Sequence, residues 1–160
     1  MKKGVLPALA ALCAVAVIGM IFALTAAPGG SEGAFTPPPF EPAAEVGTPQ
    51  VPREAGYGEL DAKAFRFSAA GELTAQNGEV EVWLTNPAEN TVWLKARLLD
   101  EQGNILGESG LLRPGEYLRA VRLDTVPQST APIALKIMAY EPETYYSVGS
   151  AVLKTTLIIP

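Results

Sequence analysis

Within residues 78–116 apolar side chains recur at every second position, and no stretch after residue 27 holds the 3.6-residue period of an amphipathic helix. Residues 79–85 set Val80, Val82 and Leu84 on one face against Glu79, Glu81, Trp83 and Thr85 on the other. Asn86-Pro87 ends this run, because proline fixes φ and has no N–H to give to a ladder. Residues 91–100 repeat the pattern, with Val92, Leu94, Ala96 and Leu98 inward and Trp93, Lys95, Arg97 and Leu99 outward. A period of two suits a half-buried β-strand and would scatter apolar groups around a helix.

The same reading extends both ways. Phe65 and Phe67 alternate with Arg66 and Ser68 over residues 62–69, Leu73 rejoins the core, and Asn77-Gly78 marks a turn. Residues 100–104 form a hairpin loop into Ile105-Leu106, residues 109–112 a short strand, and Arg113-Pro114-Gly115 another turn. In residues 116–123 the spacing of Leu118, Val121 and Leu123 breaks alternation, which predicts a β-bulge near Arg119-Ala120. Ile133, Leu135, Ile137 and Ala139 face in on the next strand, with Lys136, Met138 and Tyr140 outward. The last strand, residues 148–159, is expected to bury Ala151, Leu153, Leu157 and Ile159. About seven short strands with turn signals between them predict an all-β domain over residues 59–160, a seven-stranded antiparallel immunoglobulin-like sandwich. A small closed barrel is the alternative architecture.

Two further segments precede it. Residues 4–27 carry no charge, and about 24 residues at roughly 1.5 Å each reach across a bilayer core. Lys2 and Lys3 before them place the N-terminus in the cytoplasm and the domain outside. A signal anchor is expected, giving a single-pass cell-membrane protein; a cleaved signal peptide ending at Thr25-Ala26-Ala27 gives a secreted one. Residues 28–58 hold seven of the fourteen prolines and lack either apolar period, so they read as a disordered or extended Pro/Gly-rich linker.

Composition narrows the function. Setting aside Lys2 and Lys3 takes the net charge from −5 to −7, a surface that repels phosphate backbones, so no nucleic-acid partner is expected. The absence of histidine removes the commonest general base and metal ligand. The single cysteine, Cys13, lies in the apolar segment, so no intrachain disulfide can brace the domain. Serines have no partner base, no phosphate-cradling glycine loop occurs, and Glu79 with Glu81 sit on a solvent face. Asp100, Glu101 and Asn104 surround a hairpin glycine as a turn requires, not at calcium-loop spacing. No enzyme activity, cofactor, metal or small-molecule substrate is expected.

The segments Leu84-Thr85-Asn86-Pro87, Leu99 through Leu106 and Ser109 through Glu116 resemble those of uncharacterised Gram-positive bacterial surface proteins. Those proteins have an N-terminal membrane segment and one immunoglobulin-like, fibronectin type III-like sandwich. The resemblance implies a fold and a cell-surface location.

One functional lead comes from the outward residues. If the strands holding Trp93 and Tyr140 are neighbours, then Trp93, Lys95, Arg97, Leu99, Lys136, Met138 and Tyr140 share one face, which Tyr145 and Tyr146 extend. An apolar patch rimmed by charge is a contact surface in many proteins. It predicts a non-enzymatic, membrane-tethered module for protein or cell-wall contact. The alternatives are a structural subunit of a secretion or pilus-like assembly, and a face covered by the linker or serving only to stabilise the sheet.

Overall fold

The computed structural model describes residues 35–160; the expected membrane segment and Cys13 lie outside them. The described residues are all-β. Ten strands replace the expected seven: β1 (Glu45–Val46), β2 (Gly58–Asp61), β3 (Arg66–Ala69), β4 (Leu73–Gln76), β5 (Glu79–Thr85), β6 (Trp93–Leu99), β7 (Ile105–Glu108), β8 (Glu116–Arg122), β9 (Ala131–Tyr140) and β10 (Ser147–Ile158). Their only companion is a 3-10 turn at Arg53–Ala55. Among the described residues no helix is long and apolar enough to cross a membrane.

One hydrogen-bonded path runs β1-β8-β5-β4-β10-β9-β6-β7, with β3 also on β5 and β2 on β3. The pairings are antiparallel except between β10 and β4, where Leu157 stands opposite Leu73 and Ile158 opposite Thr74. That short parallel contact joins what would otherwise be two sheets, so the sheet curls around one core. The expected inward residues fill it: Val80, Val82, Leu84, Leu94, Ala96, Leu98, Leu135 and Ile137 are fully buried. Each large one stabilises the fold by about 1.5–3 kcal/mol relative to exposure. Period-two reading locates these residues because the pleat sends alternate side chains to opposite faces.

Three expectations change. Residues 37–58 are a strap on the domain rather than a free linker: they belong to the compact unit Pro37–Pro160. Phe40 bridges Leu111 in parallel, Glu41 N–H donates to the Leu111 carbonyl at 2.9 Å, and β1 pairs with the start of β8. Further along, the Gly71 and Glu72 N–H groups donate to the Ala55 carbonyl. Gly110 permits the approach, since a Cβ there would lie 2.6 Å from the Glu41 nitrogen. The strap escapes a search for side-chain period because backbone groups hold it.

The bulge is the second change. Glu81 pairs with Ala120 and Leu84 with Leu118, so Val82 and Trp83 together oppose Arg119. The extra residue thus sits on β5, although the broken spacing shows on β8. Trp83 takes φ 47° and is buried, not outward as alternation predicted. Lastly, β10 buries only Leu157 fully; Ala151, Leu153 and Ile159 are partly buried.

Candidate functional site

Strands β6 and β9 are neighbours, and their antiparallel register sets Trp93 opposite Tyr140, Lys95 opposite Met138, Arg97 opposite Lys136 and Leu99 opposite Ala134. Directly opposed residues share a face, so the conditional expectation about this patch is met in its geometry. The face continues onto β10, where Ser150 opposes Met138 and Val152 opposes Lys136.

The aromatic end of the face is covered. Phe40, from the strap, packs edge-on against Trp93 with ring centroids 4.8 Å apart, and Tyr145 does the same at 5.3 Å. The Arg113 guanidinium lies 3.5 Å from the Phe40 ring centroid, a cation–π contact that fixes the cover. Trp93 and Tyr140 are therefore half-buried, and Met138, expected outward and open, is buried, with the Tyr140 hydroxyl 3.6 Å from its sulfur. Tyr146 stands away from the aromatic cluster at 71% exposure.

Charge dominates the remainder. Glu108 on β7 accepts from Lys95 Nζ at 2.7 Å through one carboxylate oxygen and from Arg97 Nε at 2.9 Å through the other. Lys95 is itself buried, so Glu108 is the counter-charge that permits its burial. Burial pushes the Glu108 carboxyl up, but the hydrogen bonds and positive charges of Lys95 and Arg97 outweigh it and hold the carboxyl below its ordinary range. A carboxyl lowered in the folded state stabilises the fold above its unfolded pKa, and that contribution is lost as pH falls through the lowered value. Glu108→Gln is accordingly expected to cost about 1–3 kcal/mol at neutral pH. Denaturant melts of the two proteins should converge only once the pH has fallen through the lowered Glu108 value, where both carry a neutral side chain. A gap that stays constant with pH would mean that the charge is irrelevant.

Lys136 has no such partner among the described residues. It faces Arg97 across the ladder, a like-charge opposition that strand pairs ordinarily avoid, and exposed Lys154 follows along β10. Lys95, Arg97, Lys136 and Lys154 against Glu108 make this face cationic on an acidic protein. Glu108 and Phe40 were missed at the sequence level. The hairpin offset from Arg97 would have found the first, since it pairs directly with Glu108. Nothing local distinguishes Phe40 from the prolines around it.

Other features organise less chemistry. A cleft of about 250 Å³ is lined by Asp100, Glu101, Pro132, Ile133, Ala134, Lys154 and Thr155. Its Asp100 carboxylate already accepts from the Gln102 and Asn104 N–H groups and the Asn104 amide, which keep it below the ordinary carboxylate range. Among the described residues, no three potential metal-ligating side chains gather. The buried Trp83 Nε1 has no acceptor there, and Arg119 lies across the ring while bonding Glu81 at 2.6 Å.

No family model and no curated protein matches the chain. Among solved structures, CopC from Methylosinus trichosporium OB3b is similar over 64% of this chain and 94% of that chain, at 15% identity and a TM-score of 0.36. A likeness this slight carries no argument.

Proposed function

We propose that this chain is a non-enzymatic, membrane-tethered extracytoplasmic module that contacts a protein or a cell-wall polymer through its β6–β9–β10 face. The observation that carries the reading is the opposition of Arg97 and Lys136 beside exposed Val152 and Lys154, on a chain of net charge −5. Holding like charges together costs stability, and an anionic group on the partner would relieve that cost. The covered aromatic cluster then serves as a rigid border to the contact face rather than as its centre. In fold terms, β3 and β5 to β10 form an immunoglobulin-like sandwich of seven strands, to which β1, β2 and β4 are additions. The uncharged run at residues 4–27 supplies the tether. A structural subunit of a surface assembly is the second reading, favoured by the open edge of β10.

Both parts of the proposal can be tested in one background, Cys13→Ala, with a single new cysteine at Lys136 or at Glu79 on the β5 side of the sheet. In intact cells a membrane-impermeant maleimide should label Glu79→Cys fully and Lys136→Cys several-fold more slowly, with the difference vanishing in purified protein. Labelling that appears only after lysis overturns the location. Equal protection ratios at the two positions overturn the contact face.

A further inference from the structure

The edges of this sheet are treated unequally. Strand β2 is an edge of four residues bearing Glu59 and Asp61, and charge on a short edge discourages pairing with other chains. The strap lies along Leu111, and β1 covers the start of β8, whose remaining residues include Arg119 and Arg122. Strand β10 has none of these protections. It pairs with β9 along nearly its whole length, but on its other side, among the described residues, only Leu157 and Ile158 find a strand, β4. Before them lies a stretch, residues 147–156, with a single charge, Lys154, and no proline. Alternate residues of this stretch direct N–H and C=O away from β9.

The core beneath that edge is also left ajar. Inward Val148, Ala151 and Leu153 are only partly buried, whereas Ile133, Leu135 and Ile137 on neighbouring β9 are at most 4% exposed. Outward Val152 is 52% exposed. A strand added here would satisfy backbone groups and cover apolar side chains on both faces.

We propose that a second copy of this chain adds that strand, the two β10 strands pairing antiparallel about a two-fold axis at Val152. In an antiparallel pair opposite residues share a face, so only registers with an even index sum align core with core. The axis at Val152 sets Val152 against itself, Ala151 against Leu153, and Lys154 against Ser150. Lysine never meets its own copy, and an edge with one charge and no acid is suited to its own image. The pairing is centred on Ser150 to Lys154, the part of the edge between the register shift of the β9 ladder at Ser147 and Gly149 and Thr155, whose hydroxyl donates to the Gly71 carbonyl at 2.8 Å. The β7-β6-β9-β10 order of one copy then continues into the second, and two cationic faces lie side by side. This inference goes beyond the contact-face reading and does not depend on it.

Disulfide trapping in the full-length chain carrying Cys13→Ala tests it, because opposed strand residues lie within disulfide reach. Oxidation should link Val152→Cys chains into dimers and leave Leu60→Cys chains, on the acidic edge, as monomers. Ser150→Cys alone should stay monomeric, while a mixture of Ser150→Cys and Lys154→Cys chains links. Absence of the Val152→Cys dimer overturns the proposal, and so does linking of Ser150→Cys alone at an equal rate, which would report collision rather than register. Val152→Asp opposes two carboxylates at the axis on a side chain too exposed to support the fold. The mass of the detergent-solubilised protein should fall from two chains to one while circular dichroism shows the chain still folded as β-structure. An unchanged mass, or a parent protein that is already monomeric, rejects the dimer independently of any contact-face result.

Discussion

Replacing Asn86 with alanine is expected to cost about 2–4 kcal/mol, a large part of the roughly 5–15 kcal/mol that holds a typical domain folded. Asn86 is fully buried just after β5, where one amide nitrogen serves two carbonyls. Its Nδ2 donates to Val92 O at 2.9 Å and to Leu112 O at 3.0 Å, and its Oδ1 accepts from Asn90 Nδ2 at 2.7 Å. Its backbone bonds the Glu116 carbonyl and the Gly115 N–H. The side chain thus ties the β5–β6 turn to the segment leading into β8. Alanine would leave the buried Val92 carbonyl without a donor, at about 1–3 kcal/mol, and take one of two donors from the Leu112 carbonyl, which keeps the Leu94 N–H. Asn86→Asp should be worse at neutral pH, because it removes both donors and buries a charge. Burial raises that carboxyl's pKa, so stability lost by Asn86→Asp should return as pH falls. Chemical denaturation of the three proteins at two pH values checks both statements. An Asn86→Ala loss below about 1 kcal/mol would show that water replaces the amide there.

Gly107→Ala should be comparably damaging for a steric reason. Gly107, on β7, pairs with Leu98, and its Cα faces the end of β8 across the core. A Cβ there would collide with the Arg122 carbonyl oxygen and lie 3.2 Å from the Leu123 Cα, all backbone with no flexible end to yield. The Asp124 and Thr125 N–H groups both donate to the Leu106 carbonyl, which pins the two strands at this distance. Relief requires moving β7 away from β8, at about 3 kcal/mol or more. Gly58→Ala provides the control, since nothing lies within 4 Å of its Cβ position, and its melting temperature should hardly move. Equal melting temperatures for the two variants would mean that β7 and β8 separate freely.

How far the sequence reaches is visible in particular residues. Alternation identified the core faces of β5, β6 and β9, because burial on one side of a pleated strand imposes that pattern directly. It also led to the shared face of Trp93, Lys95, Arg97, Lys136 and Met138, given only that their strands are adjacent. It did not reveal that Phe40 and Tyr145 close over Trp93, since both contacts join segments far apart in the chain.

By itself, then, the sequence determines which side chains point inward on the long strands, where the turns fall, and the all-β class, because these follow from local period and from proline and glycine chemistry. Only the tertiary structure decides what those strands sit beside. The strap at residues 37–58, the parallel join of β10 to β4, the bulge on β5 rather than β8 and the unpaired edge of β10 are all set by backbone hydrogen bonding between distant segments. Backbone groups are the same in nearly every residue, so their pairing leaves no mark on the pattern of side chains.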